Sequence, residues 1–150
     1  MKISIKHTAL DKLKTDLLII PAAPPSDRKP AKQKKNSKGL RGIKKIWSRF
    51  DAGVVAEIKE LDRELAEILP AQVERLGYHP AVDKRLELFL GPDSDITHMR
   101  LSGLSSLRIS EKRPLDEWRR LGGDAYQAAK RLHAKRVAIS LGNARLFRGT

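Results

Sequence analysis

Residues 13–21 read LKTDLLIIP. Leu17, Leu18, Ile19 and Ile20 follow one another without a polar interruption. A strand with one wet face alternates apolar and polar residues. An unbroken apolar run of this length belongs to a strand covered on both faces. Thr15-Asp16 opens it and Pro21 is expected to close it. A strand covered on both sides needs a layer of helix above and below its sheet, so the rest of the chain must supply those helices.

Working outward, Lys2–Lys6 alternates with Ile3 and Ile5 on one face, as an edge strand does. Downstream, Val54, Ile58, Leu61, Leu65, Ile68 and Leu69 fall at steps of three and four, which predicts one amphipathic helix. Pro70 is expected to kink or end it, although Val73 and Leu76 continue the period. Gly77 supplies a stop, followed by Pro80. Arg85–Leu90 reads as a third strand, ended by Gly91-Pro92-Asp93, and His98–Leu104 as a fourth. Pro114 opens a second helix, with Asp116 and Glu117 in its first turn, where the helix dipole favours carboxylates. Leu115, Trp118, Leu121, Ala125, Ala129 and Leu132 form its buried stripe. Lys130, Arg131, His133 and Lys135 complement its carboxyl end. Arg136–Leu141 reads as a last buried strand, closed by Gly142-Asn143. The order β-β-α-β-β-α-β predicts a single α/β domain over residues 1–150: three layers, with a mixed, mostly parallel sheet flanked by helices. No internal repeat is present.

Composition narrows the class. The chain has 150 residues, 40% hydrophobic, 5% aromatic, with no cysteine. That is enough apolar residue for one core built on Leu, Ile, Val and Ala. Without cysteine there is no disulfide, thiolate metal site or cysteine nucleophile. The run Leu17–Ala23 is far short of a membrane span, and MKISIKHTAL lacks the long apolar stretch of a signal peptide. A cytoplasmic protein with no membrane partner is expected.

The net charge of +13 is concentrated. Residues 24–50 hold Arg28, Lys29, Lys32, Lys34, Lys35, Lys38, Arg41, Lys44, Lys45 and Arg49, against the single carboxylate Asp27. Nine of the thirteen net positive charges therefore lie in this insertion. Pro24, Pro25, Pro30, Gly39 and Gly42 are expected to keep most of it out of regular structure. So long a loop in a compact domain is commonly functional. Ten clustered cations suit phosphate chains, because each neutralised phosphate releases counterions without any base readout. These ten residues are the candidate nucleic-acid contacts; the competing reading is a solvated loop. Trp47 and Phe50 at its end could stack on bases, but they are better read as anchors of the loop on the domain.

Other chemistry is thin. The sequence has no GxGxxG, GxxxxGK[ST], GxSxG or HExxH. Asp93, Asp95 and His98 form the densest ligand-type group, but they follow Gly91-Pro92 and read as a turn between strands. Gly122-Gly123 within a helix suggests close packing of helix on sheet. No catalytic and no metal-binding residue is assigned.

Several segments together carry a resemblance: LKTDLLIIP (13–21), LDRELAEIL (61–69), RLELFL (85–90), HMRLSGLSS (98–106) and LDEWRRLGGDAYQAAKRLHAKRVAISL (115–141). They resemble the N-terminal domain of the leucyl (cytosol) aminopeptidases, in which a helix opens with Leu-Asp and a helix of small residues leads into a Lys-x-Val-x-Ile strand. The pattern spans most of the chain outside the basic insertion. The family's Gly-Leu-Gly turn is here Gly103-Leu104-Ser105. The family's catalytic domain, which binds two divalent metals (zinc or manganese) and carries Asn-Thr-Asp-Ala-Glu-Gly-Arg, has no counterpart in these residues. The resemblance therefore implies a macro-like fold with a noncatalytic role, and no cofactor held by this chain. Its implied partners are other copies of itself or a catalytic aminopeptidase domain, either as part of a full aminopeptidase or encoded alone. DNA or RNA is the alternative partner, since some bacterial members bind DNA. A third reading, nucleotide or ADP-ribose binding by analogy with macro domains, rests on Gly103-Leu104-Ser105-Ser106 and Gly142-Asn143.

Overall fold

The computed structural model describes residues 9–25, 40–80, 85–104 and 114–141. The expected strand at Lys2–Lys6 lies outside them. After a short 3-10 turn at Leu10–Lys12, the elements are β1 (Thr15–Ala22), α1 (Leu40–Trp47), α2 (Ala52–Leu61), α3 (Arg63–Arg75), β2 (Arg85–Phe89), β3 (Ile96–Gly103), α4 (Pro114–Arg131) and β4 (Val137–Ile139).

The four strands form one sheet in the order β2-β3-β1-β4. β1 runs parallel to β3 and to β4, and β2 runs antiparallel to β3. β1 thus has a strand on each side, and Leu17, Leu18, Ile19 and Ile20 are at most 1% exposed. Burying each such side chain contributes roughly 1.5–3 kcal/mol. The sheet is mixed and mostly parallel, and helices flank it, as the sequence implies. The Ser140 hydroxyl bonds to Glu57, which sets α2 against the face that carries Leu18 and Ile20. Arg131 of α4 pairs with Glu87, whose register partner is Arg100 and, beyond it, Ile19, on the opposite face.

Pro21 does not close β1, which continues to Ala22. The reason lies in the hydrogen-bond parity. The Leu17 N–H donates to the Arg136 carbonyl (3.2 Å) and the Ser140 N–H donates to the Ile19 carbonyl (2.9 Å), so alternate residues of β1 face β4. Pro21 shares that parity but lies beyond Ile19, the last β1 residue paired with β4, so its missing N–H interrupts no pairing there.

The expected single helix over Val54–Leu69 is two. Asp62 is extended (φ −161°, ψ 125°), and its Oδ1 accepts the N–H groups of Glu64 (2.8 Å) and Leu65 (3.4 Å). An aspartate that caps a new helix ends the old one. Pro70 does not end α3 but lies buried inside it. It forgoes one bond to the preceding turn, offset by burial of its ring. Ile68, read as part of the buried stripe, is 57% exposed. α3 stops in a Schellman arrangement: Tyr78 N–H donates to the Val73 carbonyl and Gly77 N–H to the Glu74 carbonyl, with Gly77 at φ +63°.

On α4, Leu121, Ala125 and Ala128 are buried, whereas Leu115 is 58% exposed. Gly122 and Gly123 are exposed and have no atom within 4 Å of where a Cβ would stand, so close packing on the sheet is not their reason. β4 is a short edge strand rather than a doubly buried one, with Val137 and Ile139 both more than one-third exposed. The turn from α4 into β4 is tied to β1 by Asp16, whose Oδ2 accepts the N–H groups of Lys135 (2.9 Å) and Arg136 (2.8 Å).

Candidate nucleic-acid interface

The basic insertion is not wholly irregular. Its last third forms α1, and Gly39 and Gly42 do not prevent this. Ile46 is buried, Trp47 packs on the core, and Phe50 is 2% exposed. Trp47 meets Phe50 edge-on (5.8 Å), and Phe50 stacks on Tyr78 (6.1 Å). The aromatics therefore anchor the segment and offer no free stacking face at Phe50. Asp51 completes the anchor. Its N–H donates to the Ala23 carbonyl (2.8 Å) at the end of β1, and its Oδ1 accepts the Gly53 N–H (2.9 Å) as the cap of α2.

Of the ten cations, Arg28, Lys29, Lys32, Lys34, Lys35 and Lys38 lie outside the described residues, and Arg41 lies in α1. Lys44 and Lys45 are exposed on α1, which contains no carboxylate. Arg49 has a different place: it pairs with Glu74 of α3 (3.2 Å) and donates to the Tyr78 carbonyl (3.4 Å). It fastens the insertion to the domain.

Asp93 lies in the β2–β3 turn, Asp95 pairs with Lys14 (3.9 Å), and the His98 ring lies 5.1 Å from that of Phe89. Among the described residues no group of three metal-type side chains comes together. Gly103 ends β3, and Leu104 is buried with its N–H donated to the Ala22 carbonyl. Ser105, Ser106, Gly142 and Asn143 lie outside the described residues. No helix of the described residues is long and apolar enough to cross a membrane.

A second charged group was not anticipated from the sequence. Arg100 of β3 is 2% exposed, and its Nη1 donates to Glu87 Oε1 of β2 (3.0 Å). Arg131 of α4 bonds to both oxygens of Glu87, with 2.6 Å to Oε2. Burial holds the Arg100 guanidinium below its ordinary pKa, and the attraction of Glu87 acts against that. Arg85, Glu87 and Arg131 line an open cleft of about 240 Å³. The one available signal was a glutamate between two leucines in the middle of a strand, a position that calls for a cationic partner once the strand is covered.

Comparison with family models, with curated proteins and with solved structures yields no match.

Proposed function

We propose that this chain is a noncatalytic domain of the kind that precedes the catalytic domain of leucyl aminopeptidases, with a macro-like fold, acting through association with further copies or with such a catalytic domain. One observation supports the reading. Of the segments on which the resemblance rests, those at 13–21, 85–90, 98–106 and 115–141 supply the four strands of the described sheet and the helix leading into its edge strand, and that at 61–69 supplies the cap and first turns of α3. On this reading the domain works in the cytoplasm. Its test is sedimentation of the purified chain, alone and mixed with a leucyl aminopeptidase catalytic domain, beside turnover of a leucyl chromogenic substrate with added zinc or manganese. Association without turnover by the chain alone is expected. Chelator-sensitive turnover by the chain alone, or a monomer that joins neither partner, overturns the reading.

A second reading, polyanion binding, is favoured by α1, which Ile46 and Trp47 pin to the core while Lys44 and Lys45 stay exposed. The expected binding to unrelated DNA sequences is weak, similar among them, and steeply reduced by salt. Fluorescence-anisotropy titrations at several salt concentrations check it. Replacing Lys32, Lys34, Lys35 and Lys38 by Ser should weaken binding and flatten the salt slope. Equal binding by that variant removes the nucleic-acid reading.

A further inference from the structure

The cleft between β2 and the end of α4 lies apart from the basic insertion, and three features there require explanation. First, the charge does not balance locally. Glu87 serves both Arg100 and Arg131, Asp124 of α4 adds a second attraction on Arg100, and among the described residues no ion-pair partner holds Arg85, so three arginines face two carboxylates. Second, two buried polar groups of β3, the Arg100 Nε and the Ser102 hydroxyl, have no hydrogen-bond partner among the described residues. Each such group in a native fold needs a reason, because burying a donor without an acceptor costs about 1–3 kcal/mol. Third, these groups share one face. Ser102 stands opposite Arg85 and Arg100 opposite Glu87 in the β2–β3 register, so two arginines, a hydroxyl and a carboxylate sit side by side with Arg131 reaching down from α4.

We infer that this cleft binds a small molecule through an oxyanion group, a phosphate or a carboxylate. An oxyanion brings acceptor oxygens to a place that has donors to spare. The planar guanidinium forks of Arg85 and Arg131, which line the cleft, match its geometry in pairs, with Arg100 and Ser102 buried behind them on the same face. At about 240 Å³ the cleft falls below the roughly 300–1,000 Å³ of sites that enclose drug-sized ligands. It suits a single anionic group with a few atoms attached, not a dinucleotide or a polymer. Glu87 holds Arg100 and, through one terminal nitrogen, Arg131, and leaves Arg85 and the rest of the Arg131 fork to the ligand.

Isothermal titration of the full chain with inorganic phosphate and, separately, with succinate, at constant ionic strength, tests this. Saturable binding of at least one is expected, and the stronger of the two names the oxyanion. Arg85→Gln changes an exposed residue and should weaken binding about tenfold or more while leaving the fold intact. Arg131→Gln, at the other cation lining the cleft, should weaken binding as well. Lys44→Gln with Lys45→Gln should bind like the parent. The inference is overturned if neither anion binds saturably, if only an oligonucleotide binds, if both cleft variants bind like the parent, or if the lysine variant alone loses binding.

Discussion

Replacing Glu87 by alanine strips the counter-charge from a guanidinium that water cannot reach. Arg100 is 2% exposed, and its Nη1 lies 3.0 Å from Glu87 Oε1. At that distance and an effective dielectric of ~20 the Coulomb attraction is about 5 kcal/mol, most of it offset by the cost of taking both charges from water. Losing one partner leaves the desolvation of the other uncompensated, a loss of roughly 3–5 kcal/mol. The lower end applies here, because the Glu87 side chain keeps 29% of its surface in water and so is replaced in part by solvent. Glu87→Ala should therefore destabilise the domain by about 3 kcal/mol. Glu87→Gln should cost less, since its amide oxygen still accepts from Nη1. Glu87→Leu with Arg100→Met should recover most of the loss, because neither charge is then buried. Urea unfolding followed by circular dichroism measures all three. A Glu87→Ala loss below about 1 kcal/mol, or a double variant less stable than either single one, would refute the claim that Arg100 depends on Glu87.

Leu65→Ala should cost roughly 2–5 kcal/mol, as Leu65 is buried on α3, whereas Glu64→Ala, exposed in the first turn, should stay within about 0.5 kcal/mol in the same urea titration. Ile139→Ala should cost less than Leu65→Ala, because Ile139 keeps 37% of its surface exposed on the edge strand. His133 occupies the left-handed C-terminal position of α4 at φ +53°, with Ala134 N–H donated to the Ala129 carbonyl. His133→Gly should therefore raise stability by about 1 kcal/mol, read as a shift in thermal midpoint. The Asp16 carboxylate is held below its ordinary pKa, chiefly by the backbone N–H of Arg136. Its depressed folded-state value means the stabilisation is present above the ordinary aspartate range and is lost as the pH falls through the lower folded value. Asp16→Asn should be the less stable protein at neutral pH, and the difference should vanish in acid, as thermal melts across that range will show.

The central strand was legible because an unbroken apolar run has one structural explanation, and β1 is indeed covered on both faces. The division at Asp62 was not, because the apolar period of Ile58, Leu61, Leu65 and Leu69 carries across it. The extended backbone of Asp62 and the hydrogen bonds its side chain accepts from the N–H groups of the next turn distinguish two helices from one. Arg136–Leu141 has the composition of a buried strand but pairs with β1 over three residues at the sheet edge, so its apolar side chains stay partly in water. Composition reports what a strand can bury, whereas its position in the sheet decides what it does bury.

The same distinction separates the two charged regions. The basic insertion is visible by counting, because its cations are neighbours in sequence. The arginines around Glu87 are not, because Arg85, Arg100 and Arg131 belong to three different elements and meet only through the β2–β3 register and the placement of α4. A shift of one residue in that register would turn Glu87 to the opposite face and leave Arg100 buried against apolar neighbours. The pair therefore also penalises the wrong register, since a buried unpaired guanidinium costs more than the apolar contacts such a shift could offer. A cluster that fixes strand alignment and still leaves Arg85 without an ion-pair partner among the described residues has more cations than alignment needs, and the cleft lined by Arg85, Glu87 and Arg131 is where that surplus faces a ligand.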